Sequence, residues 1–345
     1  MTTEVEKIQT EECTAKLLPL IKAANLTKVA IACGNVDPDG MACAMTMEAV
    51  LHKLGCHDVT LFYKGTFTRP QNKVFRTLLN INLVPEEKFK TEDNYTCLIS
   101  VDAPASLCPA IPDFIIDHHE PSGSSPKIGS DIRMVGATSS ILLSYAREAD
   151  IDFESELGQK LSTALLIGII TDTKNGVVET TCKLDYEAMA FCHLHKDQKL
   201  FKHIVNYPRP TYYNDLFCLA WNNKTIEGTL LVSGVGVIPE ARGGILSDLA
   251  EKFVEIEGIA TSVVFAIVEN YIDISIRSNS SLNVDEFVKT AFGPSFGGGK
   301  TGAGRSRIPL PILFQNVPDL LSNELYDICG KIIKHKVLQI AGDKK

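Results

Sequence analysis

The chain has 345 residues, long enough for two domains with a core each. Hydrophobic residues make up 45% and charged residues 22%, the balance of a soluble globular protein and not of a disordered or fibrous one. A net charge of −8 argues against a broad basic face gripping long duplex nucleic acid, and no apolar run approaches the roughly 18–20 residues that span a bilayer. A small anionic substrate stays compatible with that charge, because a bound dication and a few local cations reverse the sign at one site. The N-terminus is acidic and lacks an apolar signal region, and the ten cysteines form no CxxC pair. Reduced, mostly buried thiols in a cytoplasmic protein are therefore expected, with no membrane association.

In chain order, residues 3–24 carry Val5, Ile8, Leu17, Leu18 and Ile21 at the spacing of an amphipathic helix. Strands and helices then alternate. Val29–Cys33 reads as a strand, Met41–Leu54 as a helix stopped by Gly55, Val59–Tyr63 as a strand and Asn72–Leu79 as a short helix. Cys97–Val101 and Phe114–Ile116 are strands, and Ser139–Glu148 is a helix with Thr138 available as its N-cap. Glu156–Ile170 and Leu184–His193 continue as helices. This alternation predicts a mostly parallel, doubly wound sheet with helices on both faces. Lys196–Asn223, rich in aromatics and interrupted by Tyr207-Pro208-Arg209-Pro210, reads as a structured connector. Beyond it come strands at Thr229–Val237, Ala260–Val268 and Tyr271–Ile276, helices at Asp248–Glu257 and Asn283–Phe292, and a helical end over Val317–Ile340. The expected fold class is α/β. A parallel-sheet domain at 1–195 is followed by a connector at 196–224 and a smaller mixed α/β domain at 225–345.

Chemistry concentrates where apolar runs end in acid. Lys28 to Cys33 runs into Asn35-Val36-Asp37-Pro38-Asp39-Gly40, Cys97–Val101 into Asp102, and Phe114–Ile116 into Asp117-His118-His119. Asp172 follows the apolar stretch Ala164 to Thr171 and joins the series as a fourth such end. Ligands of open α/β sheets sit at the carboxyl ends of the strands. Acids and imidazoles gathered there suit a hard or borderline divalent cation. The competing reading is that each acid caps the helix that follows it. Asp117 is better read as an acid that orients the neighbouring imidazole. His193 and His195 lie near a helix end, where a solvated His is the default.

These residues resemble the DHH phosphoesterases. Asn35-x-Asp37-x-Asp39-Gly40, Ser100-Val101-Asp102, Asp117-His118-His119 and Gly168-Ile169-Ile170-Thr171-Asp172-Thr173 stand in that family's order and approximate spacing. Ser275-Ile276-Arg277-Ser278 and Phe296-Gly297-Gly298-Gly299-Lys300-Thr301-Gly302-Ala303-Gly304 resemble the signatures of its associated C-terminal domain. The resemblance covers roughly residues 28–305 and is most similar to the branch acting on short oligonucleotides and phosphoadenosine phosphate. It implies two manganese ions, or magnesium in their place. Asp37, Asp39, Asp102, His118, Asp172 and Asn35 would be ligands, and His118, His119 and Asp172 the catalytic group. His119 would either position a ligand or serve as acid for the leaving group. Two departures stand out: Asn35 occupies the place of the family's first His, and the glycine motif lacks its His, with Lys300 or Gly299 there according to register.

Consecutive glycines also let backbone N–H groups approach a phosphate as an anion nest. The GxxxxGK[ST] spacing of a nucleoside-triphosphate loop is not met. Arg277, Ser278, Gly298, Gly299, Lys300 and Arg305, with Arg307 nearby, are the candidate substrate-binding residues. The implied activity is metal-dependent hydrolysis of a short single-stranded oligonucleotide or small nucleotide phosphate by a metal-activated water, with a homodimer as a candidate assembly. A cyclic-dinucleotide or polyphosphate phosphodiesterase is the alternative enzyme. A catalytically weakened nucleotide-binding protein is the alternative from another class.

Overall fold

The computed structural model describes residues 14–300, 302–310 and 322–343. The chain divides into two compact units. One holds the described residues through Phe67 with Gln71–Tyr207, and the other holds Thr68–Pro70 with the described residues from Pro208 onward. The first is an α/β unit on a parallel sheet, and the second is a smaller α/β unit on a mixed sheet.

In the first unit the order is α1 (Leu18–Ala23), β1 (Val29–Asn35), α2 (Pro38–Lys53), β2 (Val59–Lys64), α3 (Pro70–Leu79), β3 (Leu83–Pro85), β4 (Cys97–Val101), β5 (Phe114–Asp117), β6 (Gly129–Ile132), α4 (Thr138–Glu148), α5 (Glu156–Asp172), α6 (Lys183–His195) and α7 (Gln198–Val205). The expected N-terminal helix survives in α1, while Val5 and Ile8 lie outside the described residues. All strand pairings are parallel, in the order β3-β2-β1-β4-β5-β6. The winding therefore reverses between β1 and β4, and a crevice opens at the carboxyl ends of strands flanking such a reversal.

Alternation along β1 explains the two layers. Val29, Ile31 and Cys33 face the main core, with Met41 and Leu51 of α2, Ile141 of α4 and Leu165 of α5. Ala30 and Ala32 face the other side, where Phe62 and Leu98 meet Phe89, Tyr95 and Cys108 from short segments. The long helices thus gather on one face and one-turn segments cover the other, where the alternation in sequence predicts helices on both faces; the connections after β3 and β4 are too short to hold a long one.

In the second unit the order is α8 (Thr211–Asn222), β7 (Thr225–Glu227), β8 (Leu230–Ile238), α9 (Ile245–Val254), β9 (Thr261–Val268), β10 (Tyr271–Ser278), α10 (Val284–Phe292), β11 (Gly297–Lys300), β12 (Ala303–Pro309) and α11 (Ser322–Asp343). The sheet runs β11-β12-β10-β9-β8-β7, with β8 and β9 parallel and the remaining pairs antiparallel. Leu231, Val264 and Ala266 pack on α8 and α9, whereas Val232, Val263 and Phe265 pack on α10 and α11. Because helices cover both faces, every residue of β9 is buried and the strand reads as an apolar run from Val263 to Val268. The expected connector contains two helices, α7 and α8, and Tyr213 and Ala220 of α8 belong to the second unit's core. Of the expected C-terminal helix, 317–321 lie outside the described residues. No helix among the described residues is long and apolar enough to cross a membrane.

Candidate metal centre

The centre is built in the first unit, at the carboxyl ends of β1, β4 and β5. β1 ends in a register shift against β2 between Ala32 and Asn35, and Gly34 there has φ +55°. A Cβ on Gly34 would lie 2.7 Å from the Ala103 Cβ, so glycine serves both the turn and the close approach of the segment after Asp102. Asn72 of α3 donates from Nδ2 to the Val36 carbonyl (2.5 Å) and ties down the loop that follows. Asp37 is the N-cap of α2, its Oδ1 accepting from the Gly40 N–H (2.9 Å). The Asn35 side chain lies outside the described residues.

Asp39, in the first turn of α2, is fully buried and binds a second helix. Its Oδ2 accepts from the Thr138 N–H (2.8 Å) and its Oδ1 from the Ser139 N–H (2.9 Å). It is thus the carboxylate that satisfies the start of α4. Thr138, the N-cap expected from the sequence, is displaced from that role: Ala137 occupies the cap position, and the Thr138 hydroxyl donates to Asp102 Oδ1 (2.8 Å). The side chain of a distant residue outcompetes the local one because the buried N–H groups need a strong acceptor.

Asp102 adopts a left-handed conformation, φ +54°, one that Asp tolerates better than most residues. Its N–H donates to the Ile116 carbonyl (3.0 Å), which brings the end of β4 alongside the end of β5. Burial pushes the Asp102 carboxyl well above the usual carboxylate range, and the charges of Asp39, Asp37, Asp172 and Asp117 push it further the same way.

The two imidazoles at the end of β5 are held differently. His118 Nδ1 lies 3.1 Å from the Val135 carbonyl, an acceptor only, so Nδ1 carries the hydrogen and Nε2 presents its lone pair. That Nε2 is buried, has no hydrogen-bond partner, and stands 3.6 Å from Asp102 Oδ1 and 3.5 Å from Asp172 Oδ2. His119 is 44% exposed, and its Nδ1 lies 2.8 Å from Asp117 Oδ1, which also accepts from the His118 N–H (2.8 Å) and the His119 N–H (3.3 Å). Asp117 thus orients His119, while its other oxygen, Oδ2, is buried without a hydrogen-bond partner.

Asp172 departs from the sequence expectation in one respect: it ends a helix, α5, and not a strand. The preceding stretch reads as continuously apolar because α5 is buried all round from Leu161 to Ile169. A carboxylate at a helix C-terminus faces the negative end of the macrodipole, an unfavourable placement that a cation relieves. Gly168, one turn earlier, brings α5 against the site: a Cβ there would lie 2.4 Å from Ser139 Oγ and 2.9 Å from Asp39 Oδ1.

One ligand atom from each of Asp39, His118 and Asp172 lies within 4.8 Å of the others, and the same holds for Asp102, His118 and His119. His118 belongs to both sets. A buried imidazole lone pair with no donor, facing carboxylate oxygens, fits a divalent cation of hard or borderline character. Asp37 lies in neither set, although its charge acts on Asp102, Cys33 and Cys43.

In the second unit, Arg277 donates from Nη1 to the Ile276 carbonyl (2.9 Å), and Ser278 Oγ lies against Thr261 Oγ1 (2.9 Å) and Ser280 Oγ (2.8 Å). The glycine run is an edge strand, β11, and not an open loop: Gly298 is opposite Arg305 and Gly299 opposite Gly304 on β12. The Gly299 N–H donates to Asp285 Oδ1 (2.9 Å), and Cβ atoms on Gly297 and Gly299 would strike the β12 backbone at 2.4 and 2.5 Å. These glycines therefore permit close strand packing. Arg305 pairs with the buried Asp273, and Arg307 pairs with Glu240 while lying 4.6 Å from the centre of the Tyr271 ring. The side chain of Lys300, and Thr301 as a whole, lie outside the described residues.

Sequence reading missed Val135 and gave Thr138 only a capping role; the two contact ligands through a carbonyl, an amide and a hydroxyl in ways no motif marks.

No family model matches this sequence. The chain is 34% identical over 318 residues to an uncharacterized protein of Methanocaldococcus jannaschii, across 90% of this chain and 63% of that protein, so it spans less than two thirds of that relative's length. Among solved structures it is similar to an exopolyphosphatase-related protein from Bacteroides fragilis, with a TM-score of 0.67 and 13% identity over 94% of this chain and 96% of the other. It is also similar to exonuclease RecJ bound to manganese, with a TM-score of 0.53 and 13% identity over 95% and 94% of the two chains. The chain shares the α/β, two-unit fold of these proteins.

Proposed function

We propose that the protein is a metal-dependent phosphoesterase acting on short oligonucleotides or small nucleotide phosphates, a member of the DHH group near its short-oligonucleotide and phosphoadenosine-phosphate branch. The observation that carries this reading is the buried, unpartnered Nε2 of His118 facing Asp102 and Asp172. The ordered motifs, and the manganese bound in RecJ of the same fold, support it. Asp39, Asp102, His118 and Asp172 would hold the cation, with Asp37 and Asn35 contributing to a second position. Manganese is the favoured ion and magnesium its substitute. Bound there, such ions lower the pKa of a water and neutralise phosphate oxygens. His118 Nδ1–H, fixed by Val135, keeps the ring oriented for ligation. Asp117 fixes His119 through Nδ1, and His119 would pass a proton to the leaving oxygen. Arg277, Ser278, Gly298, Gly299, Lys300 and Arg305 are the proposed substrate-binding residues of the second unit, and the protein would work in the cytoplasm, with a homodimer as its candidate assembly.

A manganese titration of the purified protein with bis(p-nitrophenyl) phosphate and with a dinucleotide tests the reading. Hydrolysis should rise with manganese and vanish in His118→Ala and Asp172→Ala. Tight nucleotide binding with no turnover at any manganese concentration would favour the nucleotide-binding alternative, to which Asn35 points.

A further inference from the structure

One short segment, Val135–Thr138, touches three of the candidate ligands. The Val135 carbonyl holds His118 Nδ1, the Thr138 N–H donates to Asp39, and the Thr138 hydroxyl donates to Asp102. Gly136 sits against the residue following Asp172: a Cβ on it would lie 2.5 Å from Thr173 Cγ2. A segment that sets three ligands needs an anchor of its own. It has one in Asp185, a fully buried carboxylate of α6 with no place in any motif above. Asp185 Oδ2 accepts from the Gly136 N–H (2.8 Å) and the Cys182 N–H (2.9 Å), and Oδ1 accepts from the Ser140 hydroxyl (2.6 Å).

Resting on the phosphoesterase reading for its consequence, we propose that Asp185 is a positioning residue that selects the ligating tautomer of His118. By pinning Gly136 it fixes where the Val135 carbonyl points. That carbonyl keeps the hydrogen on Nδ1 and the lone pair on the buried Nε2. The start of α4 is thus clamped between two carboxylates, Asp39 from the site side and Asp185 from behind. Without Asp185, the Val135–Thr138 segment would relax, and the His118 ring would sample both tautomers and more than one orientation.

Three substitutions separate this role from a merely structural one. Asp185→Ala removes the acceptor of all three donors. Asp185→Asn can keep its carbonyl oxygen on Gly136 and Cys182 while its amide donates to Ser140, whose hydroxyl then turns to accept. Ser140→Ala removes one bond only, so it serves if Asp185→Ala does not fold. The first readout is the pair of ¹⁵N imidazole shifts of His118 in metal-free protein, which report the tautomer with no metal and no substrate present. The second is manganese affinity by calorimetry. Wild type and Asp185→Asn should show a single Nδ1–H tautomer and manganese dissociation constants within about threefold of each other. Asp185→Ala should show averaged shifts and about 10–100-fold weaker manganese binding, the usual range for losing a partner behind a ligand. Ser140→Ala should fall between. A folded Asp185→Ala or Ser140→Ala with wild-type His118 shifts overturns the assignment. Failure of the wild type to bind manganese while the shifts still respond to Asp185 would overturn the phosphoesterase reading and leave this one standing.

Discussion

Asp39 is at once a proposed ligand and the structural acceptor for a neighbouring helix, so its removal should be felt before any metal is added. Asp39→Ala leaves the Thr138 and Ser139 N–H groups without their acceptors, in a place where water does not reach. Each buried N–H left unpaired costs about 1–3 kcal/mol, so the pair should cost about 2–6 kcal/mol. One term opposes this: the lost charge relieves repulsion on Asp102, which returns a fraction of the cost. With two compact units, a single unfolding free energy is not well defined, and a local measurement is preferable. Native-state hydrogen exchange of the Thr138 and Ser139 amides in metal-free protein provides one. Both should exchange more than about thirtyfold faster in Asp39→Ala, the equivalent of about 2 kcal/mol. Asp39→Asn, which keeps one acceptor oxygen, should lie between. Exchange within about twofold of wild type in the alanine variant would show that Asp39 does not hold α4, and the double role argued above would fall.

Arg277→Ala should raise KM more than it lowers kcat, because the substrate contact proposed for Arg277 would be made equally in ground and transition states; a collapse of kcat at constant KM would move Arg277 into the chemical step. Asn35→His should lower the manganese concentration needed for activity, and an unchanged requirement in an active pair would put position 35 outside the coordination shell. The pH dependence of metal-free stability follows from Asp102. Its folded-state pKa is raised, so the folded protein holds a proton that the unfolded chain releases above about pH 4. Stability should therefore fall as pH rises from about 4 through the raised value. Added manganese should flatten or reverse the trend, and denaturation midpoints measured across pH with and without metal check both.

Much of this was legible in the residues themselves. The strands carrying the acids, β1, β4 and β5, are short apolar runs bounded by Gly, Pro and Asp, and they lie within two residues of where alternation and composition put them. The acids after them meet because parallel strands of one sheet end on the same side, a consequence of topology that alternating strands and helices already imply. Less legible was anything set by cross-chain packing. The strands β3, β6, β7, β11 and β12 were missed because they are brief, weakly apolar or rich in glycine, and what stabilises them is a neighbouring strand and not their own propensity.

What the sequence alone determined is the inventory and its order: carboxylates and imidazoles at the ends of buried segments, and an α/β chain of two units. Local propensity and periodicity are properties of neighbouring residues, so they survive in a string of letters. Only the tertiary structure decided the roles. It turned Asp39 toward the start of α4, put Asp172 at a helix end, freed the lone pair of His118 Nε2 by way of a backbone carbonyl 17 residues away, and set Asp185 behind the segment that carries that carbonyl. Each of these depends on a hydrogen bond to a partner distant in sequence or to a main-chain atom, and main-chain atoms are the same at every position.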